Sequence, residues 1–158
     1  MPGENLTRIE AQERRGVLDT QSYEVELDLT TGPEVFRSTA TVRFTATEGA
    51  STFIDLIARS VHSIALNGRS IPASAFADSR IALDDLALEN ELIVVADCEY
   101  TNTGEGLHRF VDPVDGEVYL YTQFEVPDSR RVFAVFEQPD LKAVSYTHLA
   151  GDSQMTLP

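Results

Sequence analysis

Apolar residues recur at every second position over long stretches of the chain. Tyr23, Val25, Leu27 and Leu29 alternate with Glu24, Glu26 and Asp28, which predicts a strand with one dry face. Gly32-Pro33 turns the chain. Phe36, Ala40, Val42, Phe44 and Ala46 then alternate with Arg37, Thr39, Thr41, Arg43 and Thr45, as a long antiparallel partner should. A shorter strand is predicted over 52–57. The apolar run 61–66 leads into Asn67-Gly68 and on to Ile71, and Asn-Gly between apolar runs predicts a tight hairpin because both residues tolerate positive φ. Residues 73–79 read as a loop or a single helical turn, and Arg80 to Leu83 as a short strand. Leu92-Ile-Val-Val-Ala96, continuing to Tyr100, is apolar on both faces at its start, which places it centrally in a sheet.

Helical signals are few. Thr7-x-x-Glu10 is a capping box, in which the Thr hydroxyl and the Glu carboxylate reciprocally satisfy exposed backbone N–H groups, and Gly16 supplies a stop. Near the other end, Asp128 or Ser129 can cap a short helix over 128–137 that Pro139 terminates. Residues 101–116, Gly-rich and acidic, read as a long connection. The fold class that follows is all-β: an antiparallel β-sandwich or saddle-like curved sheet with a short N-terminal helix and a second short helix near 128–137. The organisation divides into 1–20 (helix and lead-in), 21–143 (the β domain, read as incomplete) and 144–158, an atypical tail whose residues 144–149 could begin another strand. An incomplete sandwich would leave an unpaired sheet edge.

One stretch carries more than a core strand needs. In Glu117-Val-Tyr-Leu-Tyr-Thr-Gln-Phe-Glu125 the period of two puts Tyr119, Tyr121, Gln123 and Glu125 on one face and Val118, Leu120, Thr122 and Phe124 on the other. The second face suits a core. The first ends in an amide and a carboxylate two residues apart, which a sheet with one wet face also explains.

Composition narrows the partners. Twelve Lys and Arg stand against 26 Asp and Glu, a formal net charge of −14, so neither nucleic acid nor an anionic membrane surface is the expected partner. No apolar run approaches the roughly 20 residues of a membrane span, and the first residues lack a secretory pattern; a cytoplasmic location is the expectation. Cys98 is the single cysteine, which excludes an intrachain disulfide and a Cys-rich metal site and reads as a buried inert thiol.

Tyr121-Thr-Gln-Phe-Glu125, Pro127-Asp-Ser-Arg-Arg-Val-Phe133 and Phe136-Glu-Gln-Pro-Asp-Leu-Lys-Ala143 resemble the N-terminal domain of the aminopeptidase N-type zinc metallopeptidases. Gly106-Leu-His-Arg-Phe-Val-Asp-Pro113 and Asp115-Gly-Glu-Val-Tyr119 resemble the same domain in its bacterial forms. The likeness runs from about Asn5 to Ala143. It implies a domain that completes the substrate cleft of a peptidase whose catalytic domain holds zinc. The position matching Glu125 is similar to the carboxylate that binds the free α-ammonium of the peptide, and the position matching Gln123 lines the same site. Tyr119 and Tyr121, on the same face, could wall the pocket or serve as ordinary cross-strand aromatics. The implied partners are a peptide N-terminus and the catalytic domain.

The chain itself lacks the zinc signature. Its histidines, His62, His108 and His148, are none followed by Glu and lie far apart, so no His-Glu-x-x-His helix exists to hold a metal. The isolated chain is therefore expected to be inactive and to carry no cofactor. His62 reads as a rim residue, His108 as a loop-ordering one, and Arg130 and Arg131 as forks tying a turn to Asp128 or Glu137. The alternative is a free-standing, non-enzymatic β-sandwich whose Tyr119–Gln123 face binds a protein or peptide.

Overall fold

The computed structural model of the chain describes residues 5–124, 127–141 and 143–150. It begins with a helix, α1 (Arg8–Val17), capped as the sequence predicts: the Thr7 hydroxyl accepts the Glu10 N–H at 3.2 Å and the Thr7 N–H donates to the Glu10 carboxylate at 2.9 Å. The expected stop at Gly16 is not used. The helix runs through Gly16 to Val17 and passes straight into extended backbone at Leu18, whose N–H still bonds the Arg14 carbonyl.

Eleven strands follow among the described residues: β1 (Leu18–Asp28), β2 (Val35–Ala46), β3 (Thr52–Asp55), β4 (Ser60–Leu66), β5 (Arg69–Ile71), β6 (Phe76–Ala77), β7 (Arg80–Leu83), β8 (Glu89–Glu99), β9 (Gly106–Val111), β10 (Val118–Gln123) and β11 (Val144–Ala150). They form a six-stranded sheet in the order β11-β1-β2-β8-β4-β5, a three-stranded sheet β3-β7-β6, and a hairpin of β9 and β10. Every pairing is antiparallel except β1 with β11, which is parallel.

The alternation of the sequence becomes the core. Phe36, Ala40, Val42 and Phe44 of β2 and Leu92, Val94, Ala96 and Cys98 of β8 are buried, with Val42 opposite Leu92 and Ala40 opposite Val94. They share one apolar cluster with Ile54 of β3, Ile81 and Leu83 of β7 and Ile64 and Leu66 of β4, so the two larger sheets cover each other's dry faces. β8 lies inside the sheet, as its two-sided apolar start requires. At the β4–β5 turn Asn67 and Gly68 both adopt positive φ, 54° and 79°, the type I′ geometry that matches strand twist.

Two expectations are corrected. The segment 101–116 is not a loop throughout: 106–111 is β9, pairing in register with β10. The helix expected over 128–137 shrinks to a single 3-10 turn, Ser129–Arg131. Beyond it Val132, Ala134 and Phe136 are each 1 % exposed, while Val135 exchanges backbone hydrogen bonds with Asp55 at 2.9 and 3.0 Å. The Phe136 N–H goes to the Tyr23 hydroxyl at 3.0 Å. A helix would forfeit each of these contacts.

Candidate functional site

The β9–β10 hairpin sets the face singled out by the sequence. Direct cross-strand partners share a face, so Tyr119 with Phe110, Tyr121 with His108 and Gln123 with Gly106 form one side of the ribbon. That side is open. Tyr119 is 42 % and Tyr121 44 % exposed, and Gln123 is exposed at the end of β10, with no described group bonding its amide. On the other side Thr122 and Leu107 are buried. Phe124, placed with the core face by the alternation, is instead 41 % exposed, where its ring meets Phe133 edge-on at 6.1 Å.

Local chemistry fixes these side chains. The Tyr121 and His108 rings stack with centroids 4.5 Å apart and planes 21° from parallel. The Gly104 N–H donates to His108 Nδ1 at 2.9 Å, which makes Nδ1 the acceptor and leaves the proton of the neutral ring on Nε2. His108 thereby orders the loop before β9. The Tyr119 hydroxyl donates to Asp115 at 2.8 Å, and that carboxylate holds the phenol above its ordinary pKa.

The hairpin is clamped from below by the 127–131 turn. Arg131 Nε donates to Asp128 at 3.2 Å and its Nη2 lies 3.3 Å from Glu105. Its side chain passes so close to Gly106 that a Cβ there would sit 2.8 Å from Arg131 Cβ, and Gly106 has φ +63°. Only glycine fits that crossing. The turn is held in its turn by Glu137, whose Oε2 accepts the Ser129 hydroxyl and the Arg130 N–H, the latter at 2.9 Å. Burial pushes the Glu137 carboxyl up from its ordinary value, against these two hydrogen bonds.

Of the predicted site residues, Tyr119, Tyr121 and Gln123 share one exposed face. Glu125 lies outside the described residues. Arg131 makes the predicted tie to Asp128. The Arg130 backbone N–H reaches Glu137, and Arg130 Nε donates to the Pro127 carbonyl at 3.1 Å. His62 is an exposed residue of β4, its Nε2 2.8 Å from Asp97 and 3.0 Å from Arg37. Cys98 is fully buried, and burial pushes its thiol up to about 12. His62, His108 and His148 stand on three different strands, and no group of three or more His, Cys, Asp or Glu among the described residues could hold a metal ion. The described residues do not fit a zinc site.

Sequence reasoning missed a buried polar network beneath the turn. Arg14 of α1, 1 % exposed, bonds Gln138, Asp55 and the Phe53 carbonyl. Nothing local announces it, because its partners lie 39 to 124 residues away along the chain. Its only sequence signal is a helix too short to be stable unless one face is docked.

No helix among the described residues is long and apolar enough to cross a membrane. No family model matches the chain. An aminopeptidase N from Streptomyces lividans is 62 % identical over 148 residues, covering 90 % of this chain and 17 % of the relative. The crystal structure of Legionella pneumophila aminopeptidase A in complex with aspartic acid superposes with a TM-score of 0.69 at 14 % identity, over 84 % of this chain and 16 % of that one. The chain thus spans about a sixth of the length of these two proteins, and the second likeness is one of fold.

Proposed function

Because the chain belongs to the aminopeptidase N family, we propose that it forms a non-catalytic cleft domain of a zinc aminopeptidase and holds the free N-terminus of a peptide. The observation that carries this reading is the exposed face of β10, where Tyr119, Tyr121 and Gln123 stand in one row; Glu125 is the next residue of the same alternation in the sequence. An ammonium has three donors. The Gln123 amide oxygen and the Glu125 carboxylate are acceptors two residues apart, and hydrogen bonds to a charged group are worth about 1.5–3 kcal/mol each. Fixing the peptide's N-terminus at one distance from the metal would place only the first peptide bond for cleavage. Zinc and the general base would come from the part of the longer polypeptide that this chain does not match. A cytoplasmic setting agrees with a lone, buried, unpaired cysteine.

The test uses the longer enzyme carrying this domain, with an aminoacyl p-nitroanilide as substrate. Glu125→Gln is expected to lower kcat/KM by about ten- to a hundred-fold and Gln123→Ala by roughly tenfold. A change below about twofold in both variants refutes the assignment.

A specific observation supports a second reading. Of the nine large apolar residues exposed among the described residues, Phe110, Val111, Val114, Tyr119, Tyr121 and Phe124 fall on or beside this one hairpin. Such a patch fits a face that docks on another protein surface. In the longer enzyme that surface would be the catalytic domain; in a free-standing module it would be a separate partner, and the Glu125 variant would leave peptide hydrolysis untouched.

A further inference from the structure

We infer that Arg14 is a positioning residue: acting through Asp55 and Glu137, it sets the 127–131 turn against which the β9–β10 hairpin is seated. The inference rests on the reading of that hairpin as the peptide-binding face only for its functional consequence.

The path is continuous. Arg14 Nε donates to Gln138 Oε1 at 2.6 Å, and Nη1 donates to Asp55 Oδ2 at 2.8 Å and to the Phe53 carbonyl at 3.2 Å. The same Asp55 oxygen accepts the Glu137 N–H at 3.1 Å, and the Glu137 carboxylate accepts the Ser129 hydroxyl and the Arg130 N–H. The Arg130 carbonyl in turn accepts the Ile57 N–H at 2.7 Å. From helix to turn, each link is a hydrogen bond or the covalent bonds within a single residue. Arg131, next along the turn, fills the space above Gly106 and pairs with Glu105, so the turn reaches β9, the strand paired with β10.

Arg14 is a costly way to achieve mere stability. Its side chain has no exposure, its Nη2 has no hydrogen-bond partner among the described residues, and buried ion pairs often contribute no more than apolar side chains of equal volume. What the guanidinium supplies is direction, since a rigid planar fork fixes where its acceptors must lie, whereas an ammonium is a rotatable point charge. Its carbon also lies 4.6 Å from the Phe53 ring centroid and 5.5 Å from that of Phe136, which holds the plane of the fork. Arg80 meets the same Phe53 ring at 4.1 Å while pairing with Glu10, so the start of α1 is anchored on the residue Arg14 stacks against.

The test is hydrogen–deuterium exchange on the 158-residue chain with Arg14→Lys, Glu137→Gln and the two combined. Each single variant should speed exchange of the Arg130 amide about tenfold or more, while amides of Val42 and Val94 in the central strands stay within about twofold. The combined variant should exchange no more than about twofold faster than the faster single one, because one path is cut twice. An unchanged Arg130 amide, acceleration shared equally by Val42 and Val94, or effects that multiply would overturn the inference. In the longer enzyme, Arg14→Lys should raise KM about threefold or more at constant kcat. Faster Arg130 exchange with KM unchanged would leave Arg14 positioning the turn and sink the peptide-binding reading of the hairpin instead.

Discussion

Replacing Asp55 by Asn removes one charge from the buried network and almost nothing else. Asp55 and Arg14 have side-chain exposures of 2 % and 0 % and are 2.8 Å apart. Asn keeps an oxygen that can still accept the Glu137 N–H, so the loss is the charge that compensates Arg14. Leaving a buried cation uncompensated costs about 3–5 kcal/mol. Against the roughly 5–15 kcal/mol by which domains of this kind are stable, that is at least about a fifth of the total. With a urea m-value of about 2–3 kcal/mol per molar for a chain of this size, the unfolding midpoint should fall by roughly 1–2 M. Urea titration followed by far-UV circular dichroism measures it. Adding Arg14→Met to Asp55→Asn should recover part of the loss, since no unpaired cation then remains. A loss below about 1 kcal/mol, or a double variant less stable than the single one, would refute the reasoning.

Three more outcomes follow from named contacts. The Arg80 guanidinium, aided by the Thr7 N–H, holds the Glu10 carboxyl down to about 2; the stability this adds is complete above its ordinary value of 4.5 and is lost as pH falls toward 2. Melting temperatures between those limits should drop less steeply in Glu10→Gln. Gly106→Ala and Gly116→Ala both force a side chain into positive φ, at a cost of about 1–2 kcal/mol. Only at Gly106 does the new Cβ also strike Arg131, so urea titration should find that variant the less stable of the two. Cys98 should react with a thiol reagent at pH 8 at least about a hundredfold more slowly than in the urea-unfolded chain, because it is buried and its thiolate is disfavoured.

What could be read from the sequence is what depends on neighbours. The alternation from Tyr23 to Leu27 and from Phe36 to Ala46 records which face is dry, and Asn67-Gly68 records its own backbone geometry. β9 escaped because Arg109 stands where alternation from the buried Leu107 would want an apolar residue, and because Gly106 resembles a turn when it is really making room for Arg131. The helix expected near 128–137 had a cap and a stop, yet local signals cannot know that Val135 will find Asp55 on a strand 80 residues earlier. The exposed row of Tyr119, Tyr121 and Gln123 followed from period alone. The Arg14 network did not, since a buried charge is defined by partners that only the fold brings together.

The parallel pairing of β11 with β1, from Ser22 opposite Val144 to Asp28 opposite Ala150, has a consequence for the chain while it is being made. β1 leaves the ribosome before either of its neighbours, and β2 can cover one of its edges soon afterwards. The strand that covers the other edge is synthesised about 120 residues later, a wait on the order of ten seconds at typical elongation rates. For that time a row of backbone donors and acceptors lies open to neighbouring nascent chains. Glu24, Glu26 and Asp28 line the same strand, and on an uncovered edge such charges set identical copies against each other. The acidic half of the alternation thus guards the unfinished protein before it serves the finished one.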